Sequence, residues 1–328
     1  MEITPMFSNR FSAFIAHAVV WTVLSVGLIA SSNTLLLLLL TPILLIDIWY
    51  TLCLGLMLRL PTVRKDVEPP TGWEWEKYHV NGYPVRWLKK EWNQDKPLAI
   101  LIHGWNSRAS NMLGRSMLFQ DLGYNCILFE MRAHGGNKRV PHWAAMHVCH
   151  DLESVLKVFD KRGWLANGYL LHGHSLGGFV SQRVLRPDLI TSKHAKGVIL
   201  ESPVTSYEYI NNQTCDYLKI PKSLQRPMMR RLLKYYNRLN PVEFNVPSIE
   251  FLKTPEWGLP QCPILLIQAK HDATLGQKHA QLLIDVHAEM DSNFTAHIVE
   301  ELKHSYEQNN TVRDELIRKW IEDESLFL

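Results

Sequence analysis

The segment Gly173-His174-Ser175-Leu176-Gly177-Gly178 places one serine among glycines, directly after the apolar run Tyr169-Leu170-Leu171. In a G-x-S-x-G elbow the serine sits on a sharp strand-to-helix turn, so neighbouring side chains must be absent. Gly173 and Gly177 meet that need, and the N-terminus of the helix that follows favours developing negative charge. A serine hydroxyl is a poor nucleophile near neutral pH. It needs a base, and the base needs an orienting acid. Chains with this elbow order the three as Ser, then Asp or Glu, then His. Asp272, in Ala269-Lys270-His271-Asp272-Ala273, and His304, in Glu301-Leu302-Lys303-His304-Ser305, follow in that order. The chemistry is nucleophilic acyl transfer from a carbonyl substrate.

The alternatives are few. Glu201 ends the strand after the elbow and is a second candidate acid. His271 neighbours the acid, while His287 and His297 fall within a helix and a strand, so all three are weaker candidates for the base. His172 and His174 flank the serine and read as packing or hydrogen-bonded groups. An oxyanion needs two backbone N–H donors, each worth about 3–4 kcal/mol of catalysis. Leu176 supplies one by its position after the nucleophile. The loop after the strand ending at Ile102 supplies the other, and Trp105 in His103-Gly104-Trp105 is the residue chosen. The Trp105 side chain reads equally as a wall of the acyl pocket or as packing.

Positioning these groups takes a sheet. Leu98-Ala99-Ile100-Leu101-Ile102, Cys126-Ile127-Leu128-Phe129, Gly197-Val198-Ile199-Leu200, Ile264-Leu265-Leu266-Ile267 and Ala296-His297-Ile298-Val299 are short apolar strand patterns. Helical segments alternate with them, including 143–159 and 178–185. That alternation predicts an α/β protein with a mainly parallel sheet covered by helices on both faces. Asn81-Gly82, between Tyr78-His79-Val80 and Tyr83-Pro84-Val85, predicts a hairpin with a type I′ turn. Asp272 and His304 then fall just beyond the carboxyl ends of strands, where open α/β sheets carry their sites.

The first 65 residues differ from the rest. Residues 11–58 contain no Lys or Arg and one carboxylate, Asp47. The stretches 11–30 and 35–58 each match the ~20 helical residues that span a ~30 Å hydrocarbon core. Ser31-Ser32-Asn33-Thr34 could turn a tight hairpin between them. Asp47 costs about 3 kcal/mol at mid-membrane, and each central Leu or Ile returns roughly 0.3–0.6. Fifteen Leu or Ile in 35–58 therefore favour insertion. Asp47 is either paired, within the hairpin or an oligomer, or a tolerated polar position. Arg10 before the first span and Arg59, Arg64 and Lys65 after the second put both ends on the cytoplasmic side by the positive-inside rule. Cleavage as a signal peptide near Ala30-Ser31-Ser32 is the competing reading, weakened by the long apolar core and by Glu2. Under that reading the second stretch alone anchors the protein, on the opposite face. The sequons at Asn212, Asn293 and Asn309 matter only in that case.

The domain expectation is a membrane anchor over 1–65 and a catalytic domain over 66–328. About 260 residues suit one large α/β domain. A hydrophobic content of 46% excludes a disordered chain, and a net charge of +3 is too small for a nucleic-acid-binding footprint. Five scattered cysteines without C-x-x-C read as reduced thiols, not as a disulfide framework or zinc site.

With the elbow, His103-Gly104, Asp272 and His304, the chain from about 78 to 320 resembles the α/β-hydrolase superfamily. It is similar there to membrane-anchored esterase/lysophospholipase-like or serine-peptidase-like serine hydrolases. The resemblance implies an α/β-hydrolase fold with a short lid, and neither metal nor cofactor. The family's D-x-R-G-H-G-x-S appears as Glu130-Met131-Arg132-Ala133-His134-Gly135-Gly136-Asn137, a segment of structural role, and Ala269 stands where Gly is frequent near the acid. Ser175 disfavours the dehalogenase and epoxide-hydrolase branches, which use Asp at that position.

By the same resemblance residues 204–260 form the lid. Between 217 and 242 lie seven Lys or Arg and no Asp or Glu. With Pro227 at a helix N1 position, Arg226, Arg230, Lys234 and Arg238 line one helical side. Such a helix either lies on anionic headgroups, admitting a lipid-like acyl substrate, or presents a solvated basic face. The expected partners are thus the membrane and a small-molecule or lipid-like acyl substrate, with no nucleic acid and no obligatory protein partner. A non-catalytic membrane scaffold, or an acyltransferase with the same three residues, is the alternative to hydrolysis.

Overall fold

In a computed structural model, residues 11–239, 245–290, 292–304 and 308–326 are described. Arg10 and Glu2, used above for orientation and for the signal-peptide reading, lie outside them. In chain order the elements are α1 (Ser12–Ala30), α2 (Thr34–Met57), β1 (Glu74–Val80), β2 (Tyr83–Lys89), β3 (Leu98–Ile102), α3 (Leu113–Asp121), β4 (Asn125–Glu130) and α4 (Ala145–Lys161). They continue as β5 (Tyr169–His174), α5 (Leu176–Val184), β6 (Ala195–Glu201), α6 (Tyr207–Tyr217), α7 (Lys222–Leu239), β7 (Ile264–Ala269), α8 (Lys278–Ala288), β8 (Phe294–Val299) and α9 (Thr311–Asp323).

The backbone divides into two compact units. The larger comprises the described parts of Pro61–Arg139, Ala144–Ile210 and Glu250–Leu328. Its eight-stranded sheet runs β1-β2-β4-β3-β5-β6-β7-β8. The β1–β2 and β2–β4 pairs are antiparallel and every later pair is parallel. This is the α/β-hydrolase fold. Strands β3, β4 and β7 are buried along their whole length, which is why they read as unbroken apolar runs rather than alternating ones. Asn81 and Gly82 both take positive φ, 49° and 77°, as the type I′ turn requires, and Val80 pairs with Tyr83 across it. On one face of the sheet Leu101, Ile199 and Leu265 pack with Phe119 of α3 and with Ile317 and Trp320 of α9.

The topology fixes where a site can form. From β3 the chain crosses to β4 on one side, whereas from β5 it crosses to β6 on the other. The carboxyl ends of β3 and β5 therefore border the topological switch point, the crevice in which open α/β sheets bind ligands.

The second unit contains the described parts of Met1–Leu60, Val140–Trp143 and Asn211–Ile249. Here α1 and α2 form a hairpin, and both are long and apolar enough to cross a membrane. Asp47 does not stand alone: its Oδ2 lies 2.6 Å from His17 Nδ1 and accepts from Trp21 Nε1 at 2.9 Å, joining the two helices. Cys53, Leu54, Met57 and Leu58 form one buried cluster with Cys215, Ile220, Met228 and Leu232. Pro227 is not at an N1 position. Helix α7 begins five residues earlier, after Pro221, whose carbonyl accepts from Leu224 N at 2.8 Å. Pro227 sits inside the helix and cannot donate to the Ser223 carbonyl. Met228 and Leu232, on either side of the following turn, are buried against α2.

Candidate active site

Ser175 connects β5 to α5 with φ 54° and ψ −115°, a backbone conformation that L-residues adopt only when the surroundings impose it. Three backbone bonds hold it. Its N–H donates to Glu201 O (2.9 Å), and its carbonyl accepts from Gly178 N (3.0 Å) and Val204 N (2.9 Å). The glycines are explained by close approach. A Cβ at Gly173 would lie 2.5 Å from the Gly177 carbonyl oxygen, and one at Gly177 would collide with the carbonyl oxygen of Ile102. Gly104 is pressed against the elbow in the same way, its would-be Cβ 3.1 Å from Ser175 Cβ and from His174 Nδ1. The loop carrying Trp105 thus closes directly onto the serine.

Asp272 and His304 follow β7 and β8. His304 Nε2 lies 3.1 Å from Ser175 Oγ, and His304 Nδ1 lies 2.8 Å from Asp272 Oδ2. An ionised Asp272 accepts from Nδ1–H, which leaves Nε2 bare to accept the serine proton. Residues 129 and 32 positions apart are joined in one hydrogen-bonded line, and each of the three is only 7% exposed. Burial by itself pushes the Asp272 carboxyl up, but hydrogen bonds from His304 and from the Leu275 and Thr274 amides outweigh it and hold the group below its ordinary value. Gln268 Nε2 donates to the same carboxylate at 3.1 Å.

Some contributors were not legible from the pattern. The amides of Thr274 and Leu275 and the side chain of Gln268 support Asp272, and turn amides carry no residue-type signal. His174, seen in sequence only as a flanking polar group, donates from Nε2 to the His304 carbonyl at 2.6 Å. It ties the loop bearing His304 to the elbow. Burial drives its own ring pKa down to about 3, so it stays neutral and keeps one N–H to donate.

The rivals go elsewhere. Glu201 is fully buried and taken up by Arg115 (2.5 and 2.7 Å) and His172 (2.9 Å), with Arg313 at 3.7 Å. His271 pairs with exposed Glu300, and His287 stacks on Phe294. The Glu130 segment is a structural brace. Its carboxylate binds Arg86 and accepts from the Ala109 and Gly136 amides, which are drawn in at 2.9 Å. His103 bridges the same region, donating from Nδ1 to Gly104 O and accepting from Met131 N. The Trp105 ring meets His134 edge-on, centroids 5.4 Å apart. Among the described residues no group of three or more His, Cys, Asp or Glu is arranged to hold a metal ion.

A family model described as "Alpha/beta hydrolase family" matches residues 99–309, and the chain belongs to that family. Among solved structures, an esterase from Pyrococcus furiosus superposes with TM-score 0.59 at 16% identity, over 81% of this chain and 97% of that one. An alpha-beta hydrolase from Vibrio vulnificus gives 0.55 at 16% identity, over 77% of this chain and 81% of that one. An alpha/beta hydrolase from Penicillium sp. sh18 gives 0.52 at 15% identity, over 77% of this chain and 98% of that one. At these identities the likeness is one of fold. No curated protein matches the sequence.

Proposed function

We propose that this chain is a membrane-anchored serine hydrolase that cleaves an ester, thioester or amide bond through an acyl-enzyme at Ser175. The observation that carries the reading is the unbroken line from Ser175 Oγ through His304 to Asp272, held on a strained elbow. Family membership supports hydrolysis as the reaction class. In the first half-reaction Ser175 Oγ attacks the substrate carbonyl carbon while its proton passes to His304 Nε2. Negative charge gathers on the carbonyl oxygen, and the amides of Leu176 and Trp105 are its donors. The tetrahedral species collapses, and His304 returns the proton to the departing alcohol, thiol or amine. Water then gives a proton to His304 Nε2 and attacks the acyl carbon; on collapse His304 passes that proton to Ser175 Oγ, the Oγ–acyl bond breaks and the acid leaves. Asp272 keeps the proton on Nδ1, so that Nε2 is bare whenever the ring is neutral, and its charge stabilises the imidazolium in between.

The anchor is the α1–α2 hairpin. Arg59, Arg64 and Lys65 put the hydrolase domain on the cytoplasmic side, and the substrate is a lipid-like acyl compound. The test is labelling of the full chain by a fluorophosphonate probe. Wild type is expected to label, Ser175→Ala not at all, and His304→Ala weakly. Undiminished labelling of folded Ser175→Ala would refute the assignment of the nucleophile, and a chain-length series of simple esters then defines the acyl pocket.

A further inference from the structure

Helix α7 carries its buried and its charged residues on opposite sides. Gln225, Met228, Met229 and Leu232 are buried, whereas Arg226, Arg230, Lys234 and Arg238 are exposed. At 100° per residue the second set falls on one side, facing away from the first. The buried side rests on the hairpin. Met228 and Leu232 share a cluster with Cys53, Leu54, Met57 and Leu58 of the α2 end. The Arg231 guanidinium lies 5.4 Å from the Tyr50 ring centre, and Tyr235 bonds to the Ser12 side chain. All these hairpin positions lie near the start of α1 or the finish of α2, the end remote from the Ser31–Asn33 turn.

That location sets the depth of α7. Between α7 and the turn the hairpin exposes Val19, Val23, Ile29, Leu38, Leu39 and Ile43, which nothing in the described chain covers. Helix α1 is 19 residues long, about 28 Å at 1.5 Å per residue, close to the hydrocarbon thickness of a bilayer. A helix strapped across the flank of this hairpin at its Met57 end is therefore held at headgroup level. Its outer side carries four exposed cations.

We propose that the outer side of α7 is a docking strip for anionic phospholipid headgroups, with Arg226, Arg230, Lys234 and Arg238 meeting lipid phosphates. This deepens the reading of α1–α2 as a membrane hairpin and rests on it. Each cation at a charged leaflet contributes about fivefold in association.

The full chain, reconstituted in phosphatidylcholine nanodiscs with or without phosphatidylglycerol, provides the test, read as amide hydrogen exchange over residues 222–238. Exchange in α7 is expected to slow about tenfold or more with phosphatidylglycerol, and high salt should abolish the effect. The combined R226Q/R230Q/K234Q/R238Q variant should lose it while exchanging like wild type in phosphatidylcholine; the R226K/R230K/R238K variant should keep it. Equal exchange of inserted wild type in the two lipids overturns the proposal alone. Equal protection by free glycerol phosphate in phosphatidylcholine discs also overturns it, because the strip would then be a site for soluble phosphates. Failure of the chain to enter discs removes the hairpin reading and the docking strip together.

Discussion

The strained serine and its histidine depend on a carboxylate with four hydrogen-bond donors, from His304, Thr274, Leu275 and Gln268. That support keeps Asp272 ionised and fixes which His304 nitrogen carries the proton. Asp272→Asn removes the charge while keeping the shape, and it favours the wrong imidazole tautomer. The expected loss in kcat is on the order of 10⁴, with KM nearly unchanged. Steady-state kinetics on the best ester substrate measure it, and a loss below tenfold would mean that another acid serves His304. His174 is the counterpart on the other side of His304, holding its carbonyl rather than its ring.

Among the elements, α3, β5, β6 and α9 meet at a buried ionic cluster beneath the elbow. Arg115, His172 and Arg313 converge on Glu201, whose backbone carbonyl also holds Ser175 N–H. The converging positive charge keeps the Glu201 carboxyl well below its usual range although burial alone would push it up. A fully buried carboxylate is stable only while its partners remain. Arg115→Met keeps the length of the side chain but strips the main counter-charge. The expected destabilisation is about 3–5 kcal/mol, seen as a lower denaturant midpoint with an unchanged slope. An unchanged midpoint would show that Arg313 and His172 suffice.

For the whole molecule, buried neutral histidines set the acid limit. Burial pulls the His103 and His279 pKa values down to about 4, below the ordinary histidine value. Between pH ~6.5 and ~4 the unfolded chain therefore binds more protons at these sites than the folded one. Their contribution is complete above pH ~6.5 and is lost as pH falls toward 4, about 3 kcal/mol for each ring. Asp272, held low, acts in the same direction at lower pH. Circular dichroism melts should show Tm falling steeply from pH 6.5 to 4. A Tm that is flat or rising over that range contradicts the burial of these rings.

The amino-acid order alone made much of this visible. Uninterrupted apolar runs mark fully buried parallel strands, since a strand covered on both faces has no polar side to alternate. Asn81-Gly82 marks its turn because both residues must take positive φ, and Gly173 and Gly177 mark the elbow because any Cβ there collides with backbone. These are local constraints, written within a few residues. The start of α7 is ambiguous in sequence because two prolines, Pro221 and Pro227, each fit a helix entrance; the folded helix begins after Pro221 and buries Met228 and Leu232 against α2. Chain order favours Asp272 as the partner of His304, with Glu201, the last residue of a strand of the same sheet, as the weaker candidate. Only the folded chain places their partners, delivering two arginines and a histidine to one carboxylate and leaving the other to the imidazole.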